Sequence, residues 1–180
     1  MTDHFQVQPG LVRALAVTAL FLTLASDVAL AAQAVPLSDL GADEPAFAMG
    51  GNVARITQTG RTQSGSIDQT GHGNAAFVGQ AGVGNVASVI QAGTANSVSL
   101  LQNGGANQSS TSQQGKNNSA TVQQTGNANS SSVTQSGTAD SATVQQVGSR
   151  NTAQVVQSGE HDTIAIRQVG NGGSARVVQH

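Results

Sequence analysis

The chain contains no cysteine, tryptophan or tyrosine, and only four phenylalanines in 180 residues. Without cysteine there are no disulfides and no thiolate metal sites, and nothing marks the redox compartment. With aromatics at 2%, a conventional core has little to be built from. Charge is scarce too: Asp, Glu, Lys and Arg make up 9% of the residues, and the net charge is −2. That balance predicts no nucleic-acid or membrane-surface role. It also lacks the high net charge that keeps ordinary disordered chains unfolded. The three prolines, Pro9, Pro36 and Pro45, all fall in the first quarter of the sequence. Everything after them is free to donate every backbone N–H to a ladder, which proline cannot do.

What is present is a tandem pattern, plainest at Asn118–Gly126: Asn-Ser-Ala-Thr-Val-Gln-Gln-Thr-Gly. Written as N-x-A-x-V-x-Q-x-G plus two residues, it repeats every 11. The glutamine recurs at Gln58, Gln69, Gln80, Gln91, Gln102, Gln113, Gln124, Gln135, Gln146, Gln157, Gln168 and Gln179. A glycine follows two residues later at Gly60, Gly71, Gly82, Gly93, Gly104, Gly115, Gly126, Gly137, Gly148, Gly159 and Gly170. The asparagine position is held by Asn52, Asn74, Asn85, Asn96, Asn107, Asn118, Asn129 and Asn151, and by Asp140 and Asp162. Two residues before the glutamine, Ile, Val or Leu stands in every copy except that of Thr111. A repeat without insertion over this length is a far stronger signal than any short motif.

Residues two apart share one face of a strand, so Asn, Ala, Val and Gln line up together. The other face is mostly Ser, Thr, Gln and Ala. Glycine and the two variable residues after it have turn chemistry. Each unit therefore predicts one strand of about seven residues and a tight turn. An 11-residue period also suits a right-handed helical supercoil. A glycine in every unit, at ~1 kcal/mol each, argues against helix.

One such strand cannot hide its Val. Two units folded strand–turn–strand give a 22-residue rung, and rungs stack ~4.7–4.9 Å apart. The fold class expected is all-β: a β-solenoid of about six rungs that becomes cross-β on assembly. Like residues then sit above like residues, and the Gln and Asn columns form amide ladders. A slipped glutamine would leave buried donors unpaired, at ~1–3 kcal/mol. A stack of identical rungs leaves two open edges that invite another chain. The ladder Gln and Asn are thus the candidate functional residues, with assembly as the function and the glycines as turn residues.

The chain divides into three parts. Residues 1–31 read as a secretory signal peptide: Ala14–Ala25 is an apolar run too short to span a bilayer, and Ala29-Leu30-Ala31 fits a cleavage site. Residues 32–51 are a flexible lead with Asp39, Asp43 and Glu44. In it, Phe47 and Met49 stand 11 before Gln58 and Gly60, the spacing of a degenerate half-repeat that would cap the stack; the alternative is an unstructured lead. Residues 52–180 are the repeat block. Within it Gln63 and Gly65 make the second copy weak, Ser109, Thr111 and Ser131 make the middle polar, and Gly173 replaces the last Asn.

Asp140 and Asp162 lie 22 apart, so they fall in one column, a rung from each other. Two stacked carboxylates should repel and slow stacking as gatekeepers; Asp also suits a solvated corner. Arg55, Asp68, Arg167 and Arg176 are expected outward on strands, and Arg61, Lys116, Arg150 and Glu160 in loops. His72, His161 and His180 share no metal-ligand spacing. No nucleophile is paired with a His and an Asp, and Gly170–Gly173 lacks the phosphate-loop pattern. No catalytic site, metal or cofactor is expected.

These repeats resemble the curlins, the secreted subunits of curli, the extracellular amyloid of bacterial biofilms. The resemblance covers the signal peptide and residues 52–180, and rests on the Ser/Asn–Gln–Gly–Asn–Gln pattern over 22 residues. It implies export through an outer-membrane curli secretion pore with accessory factors. It also implies polymerisation with itself and with the other curlin subunit, and fibres that bind matrix, host surfaces and other cells. The Phe-containing acidic lead and the Arg-bearing last strand favour the minor, nucleator-type subunit; the regularity of the repeats suits a major fibre subunit. The alternative function is a monomeric secreted β-solenoid, a binder or adhesin that does not polymerise.

Overall fold

The computed structural model describes residues 51–180. The expected signal peptide, the lead apart from Gly51, and the half-repeat at Phe47 and Met49 lie outside the described residues.

Twelve strands follow one another, with no helix between them. They are β1 (Val53–Arg61), β2 (Ser64–His72), β3 (Ala75–Val83), β4 (Val86–Thr94), β5 (Ser97–Gly105), β6 (Gln108–Lys116), β7 (Ser119–Asn127), β8 (Ser130–Thr138), β9 (Ser141–Ser149), β10 (Thr152–Glu160), β11 (Thr163–Asn171) and β12 (Ser174–Gln179). Each strand but the last has 9 residues, longer than the seven the pattern suggests. The reason is the glycine. Gly60, Gly71, Gly82, Gly93, Gly104, Gly115, Gly126, Gly137, Gly148, Gly159 and Gly170 lie inside the strands, at the eighth position, and not in the turns. The strand continues one residue past each of them. Arg61, Lys116 and Glu160, expected in loops, therefore end β1, β6 and β10.

The turn itself is two residues. The first is left-handed in every corner, from Thr62 at φ 52° to Gly73 at φ 66° and His161 at φ 62°. The second is the ladder Asn or its substitute. A non-glycine residue with positive φ is uncommon, yet eight corners carry one. The stack holds them there: Ala95, Ala106, Asn117, Ala128, Ala139, Arg150 and His161 each donate their N–H to a carbonyl of the rung before at 2.8–3.0 Å.

Alternate strands pair in parallel. One sheet runs β1-β3-β5-β7-β9-β11 and the other β12-β10-β8-β6-β4-β2. A flat meander would pair neighbours antiparallel; here β1 pairs with β3, with Ile56 on Val78, Gln58 on Gln80 and Gly60 on Gly82. The register holds through the stack, with Val155 on Val177 and Gln157 on Gln179 at the far end. Each rung is thus one strand of each sheet, 22 residues in all, as the spacing predicts.

The inner faces meet in a narrow dry core. Val78, Val89, Leu100, Val122, Val133, Val144 and Val155 are buried, with Ala76, Ala87, Ala120, Ala142 and Ala153 beside them. Burying each larger aliphatic side chain stabilises by roughly 1.5–3 kcal/mol. Size is balanced across the gap. Gly65, the apparent defect of the second copy, faces a larger neighbour: a methyl added there would lie 3.1 Å from Ile56 Cγ2. The weak point is β6, whose inner face buries Ser109 and Thr111 where other strands place Ala and Val. Ser109 shares a hydrogen bond with Ser131 one rung on, at 2.8 Å. The Thr111 hydroxyl has no partner.

Candidate functional site: two amide ladders and two open ends

Strand parity turns every ladder Gln inward, and the parallel register places it on its like. Nine Gln–Gln hydrogen bonds link the columns at 2.6–2.9 Å, five along the odd strands from Gln58 to Gln168 and four along the even strands from Gln69 to Gln157. The link from Gln157 to Gln179 is missing, and Gln179 Oε1 is left unpaired. The Nε2 of each Gln from Gln69 to Gln168 also donates to a backbone carbonyl 16 residues earlier at 3.0–3.1 Å, which for Gln157 and Gln168 is the sole acceptor. That carbonyl belongs to the opposite sheet, as with Gln80 of β3 and Ser64 of β2. The glutamines therefore stitch rung to rung and sheet to sheet. The second bond also fixes the amide orientation, because only the NH2 group can donate to a carbonyl. In every link the lower Gln donates and the higher one accepts.

The Asn column works differently from a simple side-chain ladder. Each Asn Oδ1 accepts the backbone N–H of the residue one rung up, as Asn96 to Asn74 at 3.0 Å and Asn107 to Asn85 at 3.1 Å. Each Nδ2 caps strand ends: Asn85 Nδ2 donates to Ala81 O and Gly104 O, both at 3.0 Å. Some Nδ2 groups also reach the Oδ1 of the rung before, for example Asn129 to Asn107 at 3.1 Å. Gln63 restores this function in the second copy, its Nε2 donating to Thr59 O and Gly82 O. The extra methylene is absorbed on the donor side only: Gln63 Oε1 is buried without a partner, so the acceptor half of the Asn role is lost at that position. At the other end of that column Gly173 has no side chain to give, and only its N–H bonds to Asn151 Oδ1, at 2.9 Å.

Asp140 and Asp162 complete the column of Asn52, Asn74, Asn96 and Asn118. Asp140 is fully buried, and Asp162 is half-buried. Asp140 is therefore not a solvated corner. Its N–H donates to Asn118 Oδ1 and its Oδ1 accepts from the Asp162 N–H, both at 3.1 Å. What it lacks is the NH2 that Asn118 sends to Gln114 O and Gly137 O. Both Oδ2 atoms are buried without a partner.

The glycine column has a steric role that sequence alone did not reveal. A methyl built on Gly60, Gly82, Gly104, Gly126 or Gly148 would lie 1.9–2.1 Å from the carbonyl oxygen of the glycine one rung up. Their φ values, 115–124°, are also closed to L side chains. No other residue lets the rungs approach this closely.

The two ends are complementary in kind. At the β1/β2 end, Gln58 and Gln69 have no lower Gln to donate to their Oε1, and Gln69 Oε1 is buried and unpaired. At the β11/β12 end, Gln168 is the uppermost Gln of its column: its Nε2 donates to Thr152 O and has no Gln above to accept from it.

A family model described as the curlin associated repeat matches residues 51–82, 63–93, 93–126 and 126–159. Those matches run from β1 through β10 and cover more than half of the 180 residues. No curated protein matches the chain, and no solved structure does. A repeat whose Gln, Gly and Asn build one continuous ladder, matched by the curlin model over most of the strands that carry it, makes this chain a member of the curlin family, a curli-type structural subunit.

Proposed function

We propose that the chain is exported by its signal peptide, residues 1–31, and polymerises outside the cell into cross-β fibres, each copy stacking head to tail on the last. The observation that carries this reading is the continuity of register at the ends. Extending the pairing of β9 with β11 by one more rung sets β1 of a second copy on β11, and β2 on β12. Ile56 then lies on Ile166, Gln58 on Gln168 and Gly60 on Gly170. Gln168 Nε2 has an acceptor in Gln58, and Asp162 meets the N–H of Asn52. Reversing one copy would oppose acceptor to acceptor in the Gln column, so the stack is polar.

The ladder Gln and Asn are the assembly residues in this reading, and Asp140 and Asp162 are the gatekeepers that slow it. The lead over 32–51 and the Arg176-bearing last strand suit a minor, nucleator-type subunit, whose partners are itself, the other curlin subunit, and the secretion pore with its accessory factors. The fibres serve biofilm matrix, adhesion and aggregation on host or matrix surfaces. The test is a thioflavin T time course on purified chain lacking residues 1–31, released from denaturant at neutral pH with and without preformed fibres. A lag shortened by seeds is expected. A flat trace from a folded monomer would refute polymerisation and leave a solitary β-solenoid binder.

A further inference from the structure

The few charges of the repeat block divide unevenly around the column. The outer face of the odd-strand sheet and the corner beyond it carry Arg55, Arg61, Arg150 and Arg167, all exposed, and no Asp or Glu. Asp68 lies on the other sheet, Glu160 ends β10, and Asp140 and Asp162 line the opposite corner. Arg167 is braced along its face. Its Nε donates to Gln145 Oε1 at 3.2 Å, and Gln145 Nε2 donates to Gln123 Oε1 at 3.3 Å. The brace fixes the base of the guanidinium and leaves its terminal nitrogens for another partner.

Within one chain Arg55 and Arg167 occupy the first and sixth rungs, roughly 24 Å apart at the usual strand spacing. Head-to-tail stacking, on which this inference rests, brings them together. Thr57 of the upper copy falls on Arg167 of the lower, and Arg55 falls on Ala165. Arg55 and Arg167 become diagonal neighbours, with Cα atoms about 7–8 Å apart. Arg61 of the upper copy lies further along the same strand. Phe77, 45% exposed, stands one rung above Arg55.

We propose that each junction between stacked copies is a binding site for an anionic polysaccharide, formed by Arg167 of one copy and Arg55 and Arg61 of the next. Two guanidinium groups at that distance repel each other, and a carboxylate or sulfate between them relieves the repulsion while accepting paired N–H bonds. Thr57, Thr59 and Thr163 supply hydroxyls for sugar hydroxyls, and the ring of Phe77 an apolar face for a pyranose. A nucleic acid would need a run of stacking platforms; a junction offers one exposed ring. Junctions recur about every 28–29 Å along the fibre, so a long polymer bridges several and gains by avidity. The site exists only after assembly.

The test uses fibres of the chain, with assembly scored by thioflavin T and sedimented mass, titrated with fluorescein-labelled alginate. Neutral dextran and single-stranded DNA are run beside it. Arg55→Gln with Arg167→Gln should form the same fibre mass and lose alginate affinity about tenfold, as expected for one or two charge-assisted contacts. Lys116→Gln with Arg176→Gln, an equal charge loss elsewhere, should leave affinity unchanged. Equal loss in both variants overturns the site. So does dextran binding as well as alginate, or alginate binding to monomer as tightly as to fibre. Tighter binding of DNA overturns the ligand class. Absence of fibres is read from the flat fluorescence and overturns the stacking itself; fibres that ignore alginate overturn this proposal alone.

Discussion

Gly170→Ala separates folding from fibre growth. At Gly60, Gly82, Gly104, Gly126 and Gly148 an added methyl would meet the carbonyl of the rung above at 1.9–2.1 Å, against an ordinary contact of 3.4–4 Å. At Gly170 it meets nothing within 4 Å, because no rung of the same chain lies above it. The monomer therefore suffers only the backbone strain of a side chain at φ 116°, of order 1–3 kcal/mol. A second copy stacked in register would bring its Gly60 carbonyl onto that methyl. Moving β1 away by more than an ångström takes two or three ladder hydrogen bonds out of range, at ~0.5–1.5 kcal/mol each. The cost of about 1–4 kcal/mol slows or reverses addition at that end by roughly fivefold to a thousandfold. The variant's β1/β2 end is untouched, so it can still dock on a wild-type fibre and then terminate it. The assay is seeded elongation of labelled wild-type monomer with substoichiometric Gly170→Ala, after circular dichroism has shown the variant folded. Growth at one end should slow by that factor once about one variant copy per fibre has docked. If folded Gly170→Ala elongates alone at the wild-type rate, the head-to-tail register is wrong.

Further substitutions test the core and the corners. Asp140→Asn gives the column back a donor where Asn118 has one, and should raise stability by ~1–3 kcal/mol, read from denaturant midpoints; paired with Asp162→Asn it should shorten the lag at pH 7, and an unchanged lag would deny the gatekeeper role. Thr111→Val removes a buried hydroxyl with no partner and should stabilise by ~1–3 kcal/mol, with a higher thermal midpoint; a lower one would mean that the hydroxyl is satisfied in solution. Thr62→Gly relieves a β-branched residue at φ 52°; the strain of ~1–2 kcal/mol is partly offset by the freer unfolded chain, for a net gain of ~0.5–1 kcal/mol.

The period, the two faces and the 22-residue rung were legible because strand geometry converts spacing directly into side: Ala76, Val78 and Gln80 sit two apart and are all buried. The partners of those residues were not legible. The second acceptor of Gln80 is Ser64 O on the other sheet, a contact set by the gap between sheets, which no periodicity states. The glycines looked like turn residues because composition marks them as flexible. Their reason is the distance to the carbonyl above, which appears only once rungs are stacked. Gln63 looked like a lost Asn, yet a side chain one methylene longer still reaches Thr59 O and Gly82 O. The burial of Asp140 was hidden for the opposite reason: Asp is at home in corners, and nothing local says that this corner is closed.

A barrel closes on itself, and its strand number is fixed by its circumference. This column never closes, and Gln58 stands to Gln80 as Gln146 stands to Gln168. Cutting one rung out between two like positions, or copying one in, would rejoin the same columns without a mismatched neighbour. Length is therefore a free variable of the fold. A gene that gains or loses 22 codons in frame changes how many copies span a given fibre, while the rule by which one copy meets the next stays the same.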